Sequence, residues 1–331
     1  GDGVCSMGNY AFSNCSSIST IKIPDRVIEL GDYAFCNCCS LTSINIPDRL
    51  NSIGHHAFYG CNSLTSIIIP KSVEEIGPNA FNGCAGELMV NCNIPSSSSN
   101  EGGVFYNNKF TKISIGNDVT SIGDYAFCNS KNLASVIIPA SVIQIGKYAF
   151  YGCYYIHSLT IGSGVRSIGY NAFNFPDKVI WLTNTPPSGY NIAKGNINYV
   201  ANEQYTGLSN AKIYPYLSSM FEVDGVKYVP VSPAERTCAA IDCVYDNAAS
   251  TIKIEETVSF KGVAMTIIEI MPYTFYENKN IKNVLLSHIG AIGDYAFYNC
   301  TSLSKATLGD NVTALGKETF SQCISLQEMI I

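Results

Sequence analysis

LTSINIPDRLNSIGHHAFYGC, residues 41–61, decides the architecture. Leu41, Ile44 and Ile46 are apolar, and Thr42, Ser43 and Asn45 between them are polar. That pattern predicts a short strand with one face inward and one outward. Pro47 ends it, because proline has no N–H to continue a ladder. Leu50 and Ile53 return to the core, and Gly54 permits a sharp corner. Ala57 and Phe58 then face inward on a short helical or turn segment, and Cys61 follows.

The same sentence recurs along the chain. Phe12, Phe35, Phe58, Phe81, Phe105, Phe127, Phe150 and Phe173 succeed one another at steps of 22 to 24 residues, and Phe275, Phe297 and Phe320 resume the step after a gap. The apolar triplet recurs as Ile18/Ile21/Ile23, Leu64/Ile67/Ile69, Leu133/Val136/Ile138 and Leu303/Ala306/Leu308, with Met89/Cys92/Ile94 read as a weaker copy. A period in the twenties marks a leucine-rich-repeat solenoid. The expected fold is a β-dominated α/β coil of right-handed sense, with a parallel sheet on one face and short helical turns on the other. No unit can bury its own apolar edge, so stacking must supply the core. Three residues before Phe the sequence drifts among Asp32, His55, Pro78, Asp124 and Lys147, which reads as solvent exposure; the aspartates read as helix N-caps.

The chain has 331 residues, a net charge of −6 and only 14% charged residues. It has no Lys/Arg cluster, which argues against nucleic-acid binding. No run of about 18 apolar residues offers a membrane span. Of the 14 cysteines, Cys15, Cys38, Cys61, Cys84, Cys153, Cys300 and Cys323 all stand three residues after the repeat Phe, a slot that elsewhere holds Asn108, Ser130 or Asn278. Rungs about 4.8 Å apart place like Cβ atoms farther apart than the roughly 3.5–4.5 Å of a disulfide. Free, packed thiols are therefore expected, with a local Cys238–Cys243 bridge left open. No metal site or cofactor is expected: no CxxC pair lies near histidines, and His55-His56 reads as surface variation.

Three segments follow. Residues 1–185 form a first block of about eight repeats. Residues 186–246 are a non-repeat β insert or linker containing a hairpin at Asp224-Gly225. Residues 247–331 form a second block of about four repeats, the last truncated, with a further hairpin at Lys261-Gly262. The chain opens inside a repeat, so an upstream targeting segment is expected to have been removed. Its last strand, Leu326/Met329/Ile331, exposes an edge, which suggests end-to-end self-association, another covering partner or a longer chain.

The pattern Leu-x-x-Ile-x-Ile-Pro-x-x-Val-x-x-Ile-Gly-x-x-Ala-Phe-x-x-Cys resembles the BspA-like leucine-rich repeat family, surface or secreted proteins of host-associated bacteria and some protists. Phe221-Glu-Val-Asp-Gly-Val-Lys-Tyr228 also looks like the β element that introduces a repeat block in this family. The resemblance implies an extracellular or cell-surface location and adhesion to host proteins, other cells or glycans, without catalysis. A structural spacer displaying another module is the alternative.

No HExxH, GxSxG, P-loop or complete GxGxxG occurs. Two surfaces are candidates for a macromolecular ligand, a host protein or glycan. One is the outward sheet face, carrying Ser43, Asn45, Ser66, Ile68, Asn93, Lys112, Ile137 and Ser158. The other is a tyrosine strip flanking the Phe, densest at Tyr151, Tyr154 and Tyr155, since tyrosine joins a large apolar body to a polar tip.

Overall fold

The computed structural model describes residues 3–99, 102–174, 176–189, 197–201, 203–205, 208, 211–243, 251–254, 256–286 and 288–331. Its contacts divide the chain into two units: Gly1–Asn198 with Gln204–Ala211, and Tyr199–Glu203 with Lys212–Ile331.

In the first unit every coil has three sides. The long side carries the predicted strands, with Thr20–Lys22 beside Ser43–Asn45, then Ser66–Ile69, Ala85–Val90 and Lys109–Ile115, then Ser135–Ile138, Ser158–Ile161 and Lys178–Trp181, all parallel. A shorter side carries two-residue strands. Ser6–Met7, Glu29–Leu30, Ser52–Ile53 and Glu75–Ile76 form one group, and Ser121–Ile122, Gln144–Ile145 and Ser167–Ile168 another. The third side is the Phe arc, bonded coil to coil: Phe12, Phe35 and Phe58 donate to the carbonyls of Ala34, Ala57 and Ala80, each at 2.7 Å. The core between the sides is filled by the Phe column. Its rings stack at 4.8–5.3 Å from Phe12 to Phe173.

The arc is not helical, which corrects the expected helical turns. In most described coils the residues two before and two after the Phe take a left-handed backbone: Tyr33 (φ 56°) and Asn37 (φ 58°) around Phe35, Tyr125 (φ 60°) and Asn129 (φ 61°) around Phe127. The aspartates do not cap helices either. Asp32 Oδ1 accepts the His55 N–H at 2.8 Å and Asp124 Oδ1 accepts the Lys147 N–H at 2.7 Å, so each braces the next coil. The cysteine slot holds free thiols. From Cys38 on they donate to the Phe carbonyl one coil back: Cys38 to Phe12 at 3.2 Å, Cys61 to Phe35 at 3.1 Å, Cys84 to Phe58 at 3.0 Å.

One coil departs from the rest beneath an almost constant Phe step. Phe81 to Val90 spans 9 residues where Phe58 to Ile69 spans 11, Val90 to Ile94 spans 4 where Ile69 to Ile76 spans 7, and Ile94 to Phe105 spans 11 where Ile76 to Phe81 spans 5. Two deletions and one insertion nearly cancel. Gly86 absorbs the first at φ 89°; a Cβ there would lie 2.4 Å from the Thr65 carbonyl oxygen. Val90, paired with Ile69, therefore closes this strand, and Met89, paired with Ile68, points outward. This overturns the Met89/Cys92/Ile94 reading.

In the second unit Phe221–Val223 and Val226–Ser232 form the expected hairpin, with Asp224 and Gly225 both at positive φ. Thr237–Cys243 pairs antiparallel with Val226–Ser232 and parallel with Val263–Ile270. The second hairpin turns at Lys261-Gly262. Parallel coils follow through Asn283–Leu286, Lys305–Leu308 and Glu328–Ile330, with Phe275, Phe297 and Phe320 stacked. Cys238 and Cys243 sit near opposite ends of one extended strand. Five residues at about 3.3 Å each keep them apart, which closes the question of a bridge. Of the expected insert, residues 190–196, 202, 206–207, 209–210 and 244–246 lie outside the described residues, while Ile197–Val200 and Ala211–Ile213 within it are strands.

Candidate functional site

Alternation separates the polar and apolar faces of the long strands as far as Ser135–Ile138. The outward column reads Ser43, Ser66, Glu87, Lys112 along one line and Asn45, Ile68, Met89, Ser114 along the next. Ile68 (57% exposed), Met89 (42%) and Ile137 (47%) stand open to solvent among small polar residues. Ser43 and Ser66 are exposed, and Lys112 is half-buried. Asn45 is exposed as well, but its amide is engaged with the Ile23 N–H and carbonyl at 2.9 and 3.2 Å.

Two expected members leave this face. Asn93 lies past the end of its strand, where its Oδ1 accepts from the Thr120 and Ser121 N–H groups at 2.7 and 3.1 Å. Its assignment to the face fails because the coil is two residues short before the strand. Ser158 is buried (2% exposed), as is its neighbour Thr160, so the open face ends with the strand Ser135–Ile138. Met89 and Glu87 take the place that the regular period gave to Asn93 and Asn91. The Cys84-to-strand distance and Gly86 were the sequence signals for this shift.

The tyrosine strip resolves into two kinds of residue. Those two before the Phe are a stacked column: Tyr10 on Tyr33 at 4.9 Å, Tyr33 on His56 at 4.8 Å, Tyr125 on Tyr148 at 5.0 Å. His56 thus belongs to the ladder rather than to a variable surface, while His55 remains exposed. Tyr151, Tyr154 and Tyr155 form an exposed aromatic cluster, the last two at 63% and 58%. Tyr151 and Tyr170 meet Tyr148 edge-on at 5.5 and 5.7 Å. Tyr170, also exposed, was missed because it precedes its Phe by three residues rather than two.

Several thiols are muted by burial. Burial pushes the Cys38 and Cys92 thiols up to about 11 and Cys153 to about 12, so little thiolate exists at neutral pH. His157 is buried, with Nδ1 2.5 Å from Asp177 Oδ2. Among the described residues no group of three His, Cys, Asp or Glu is placed to hold a metal ion. Also among them, no helix is long and apolar enough to cross a membrane.

The BspA type leucine rich repeat region (6 copies) matches residues 2–102, 98–185 and 249–331. No curated protein matches. Among solved structures, a leucine-rich repeat protein from Bacteroides ovatus is 22% identical over 98% of this chain and 82% of that one, with a TM-score of 0.32. A leucine rich cell surface protein from Faecalibacterium prausnitzii is 18% identical over 99% and 83%, with a TM-score of 0.29. The pneumococcal vaccine antigen PcpA is 14% identical over 97% and 74%, with a TM-score of 0.31.

Proposed function

Because the chain belongs to the BspA type leucine-rich repeat family, we propose that it is a non-enzymatic binding protein of the cell surface or extracellular space, adhering to a host protein, another cell or a glycan. The tyrosine cluster carries this reading. Tyr151, Tyr154, Tyr155 and Tyr170 hold aromatic surface in water although the Phe column already fills the core. Several exposed rings on one stretch of surface are typical of recognition surfaces. The sheet face adds a second set of contacts: Ile68, Met89 and Ile137 offer apolar anchors among Ser43, Ser66 and Lys112, the mixture found at protein interfaces. Repetition suits the task, because neighbouring coils present equivalent side chains about 4.8 Å apart.

The test is saturable binding of the purified chain to immobilised host matrix proteins, mucins and cell-surface glycans. A ligand whose affinity falls at least about tenfold in Tyr154→Ala/Tyr155→Ala or Ile68→Ser/Met89→Ser, with the fold intact, supports adhesion and locates its surface. Absence of binding across the panel by folded protein would sink the adhesion reading and favour a spacer that displays another module.

A further inference from the structure

The left-handed position two residues after each Phe admits few side chains, and this chain uses that limit to open a cleft. Asn14, Asn37, Asn107 and Asn129 fill the position in four coils of the first unit, at φ between 51° and 61°. Asparagine tolerates this conformation, and its amide reaches the next coil: Asn37 Nδ2 donates to Asn14 Oδ1 at 3.1 Å. Three coils instead carry glycine, Gly60 (φ 74°), Gly83 (φ 77°) and Gly152 (φ 80°), of which the first two are successive. Asn37 Oδ1 takes the space beside Gly60, 2.6 Å from where a Cβ would lie, but the space at Gly83 is open, so the column has a notch there. It opens into a cleft of about 390 Å³ lined by Gly60, Gly83, Asn62, Asn107, Lys109 and Lys131, among others.

The rest of the lining narrows what the cleft can hold. Asn129 Nδ2 donates to the Tyr106 hydroxyl at 3.2 Å and Asn132 Nδ2 to the Lys109 carbonyl at 3.4 Å, so two walls are fixed. Tyr59 presents a ring at the edge. Asn62 and Asn107 are exposed and engage no side-chain partner among the described residues. An amide offers one acceptor and two donors on a planar group, which matches neighbouring hydroxyls on a sugar ring; a tyrosine ring suits the apolar face of the same sugar. Lys109 and Lys131 form no ion pair with the described residues, and none of the residues lining the cleft is acidic. This local cationic pair stands out in a chain of net charge −6, another groove of which is lined by Glu29, Asp32, Glu74 and Glu75 among others.

We propose that the cleft between Gly60, Gly83 and Lys131 is a binding site for an acidic oligosaccharide, with sugar hydroxyls on the asparagine amides and uronate carboxylates on Lys109 and Lys131. None of Tyr151, Tyr154 and Tyr155 lines it, so the site stands or falls apart from the tyrosine cluster.

Titration calorimetry of the full chain at about 0.15 M salt tests the assignment with three probes: oligogalacturonate, a neutral galactan oligomer of the same length, and polyglutamate of similar charge. Oligogalacturonate is expected to bind saturably, with the other two at least about tenfold weaker. Gly83→Asn places in the notch a residue that this position accepts elsewhere. A Cβ at Gly83 meets no atom nearer than Gly60 Cα at 3.5 Å. Gly83→Asn and the pair Lys109→Gln/Lys131→Gln are each expected to weaken oligogalacturonate about tenfold at unchanged melting temperature, and Tyr154→Ala to leave it unaltered. Should Gly83→Asn lower the melting temperature, the lysine pair decides alone. No binding of oligogalacturonate, equal binding of polyglutamate, or full affinity in the lysine pair overturns the proposal.

Discussion

At the scale of the residue, the tyrosines two before each Phe are first of all structural. Holding an L-residue in the left-handed region costs about 1–2 kcal/mol, and Tyr10, Tyr33, Tyr125 and Tyr148 all accept that cost. Two things offset it. The Tyr33 N–H donates to the His55 carbonyl at 2.9 Å, and each stacked aromatic pair adds about 0.5–1.5 kcal/mol beyond its buried area. His56 occupies this column, stacked on Tyr33 and tilted against Tyr59 of its own coil. Burial first, and His55 second, lower its pKa below the usual 6.5. An unfolded His56 therefore binds a proton at a pH where the folded one does not. The unfolded chain holds more protons in that window, and this contribution to stability is lost as pH falls through 6.5 toward the lowered value. His56→Tyr, which restores the residue of neighbouring coils, should reduce the drop in melting temperature between about pH 7 and pH 5. An identical drop in both proteins would exclude His56 as a source of acid sensitivity.

At the scale of the element, what the sequence shows clearly is whatever repeats. The strand triplets, the Phe column and the free thiols were legible because each coil repeats the same solution, and both hairpins were legible because Asp-Gly and Lys-Gly turns announce themselves. The Phe arc was read as helical because Ala-Phe after a Gly-Asp pair looks like a capped helix start; only backbone angles separate that from two left-handed turns. The face of the Ala85–Val90 strand was misread because its Phe step stays at 24 residues while lengths inside it change. The burial of Ser158 was invisible, since its strand is spelled like the others. The thiol slot makes a direct prediction. In the arc the Phe35 carbonyl receives an N–H from its own turn, Cys38 at 3.2 Å, and a thiol from the next coil, Cys61 at 3.1 Å; Phe12, Phe58, Phe127, Phe275 and Phe297 likewise accept a thiol. Cys61, Cys84, Cys153 and Cys300 are buried, and Cys5 is exposed. Iodoacetamide with mass-spectrometric readout should label Cys5 in the native protein and the other four only in denaturant. Labelling of Cys61 at the rate of Cys5 would show that the column is open or its thiols ionised.

At the scale of the whole molecule, equivalence of neighbouring coils becomes a statement about length. In an array where each coil meets only its neighbours, stability is close to a sum of coil and interface terms. Removing Phe35–Ala57, one coil of 23 residues, joins Ala34 to Phe58 and leaves the strand, thiol and Phe columns in register. The shortened chain should melt cooperatively with unchanged circular dichroism per residue and a modestly lower melting temperature. Removing the same number of residues from Leu88 to Phe110 joins Glu87 to Thr111, although the register Glu87↔Lys112 and Leu88↔Ile113 places Ile113 next. Two surplus residues then distort the strand, and loss of cooperativity is expected there. If both deletions melted alike, register would not govern the fold. The irregular coil shows where the opposite freedom lies. It has shed residues on both flanks of its strand and gathered them on the way to Phe105, without disturbing the ring that follows: Phe81 and Phe105 still stack at 5.2 Å. For an engineer that passage is a socket. An epitope or affinity tag spliced in beside Ser98 would ride outside the column of rings, which makes this scaffold a display device whose cargo can change while its spine does not.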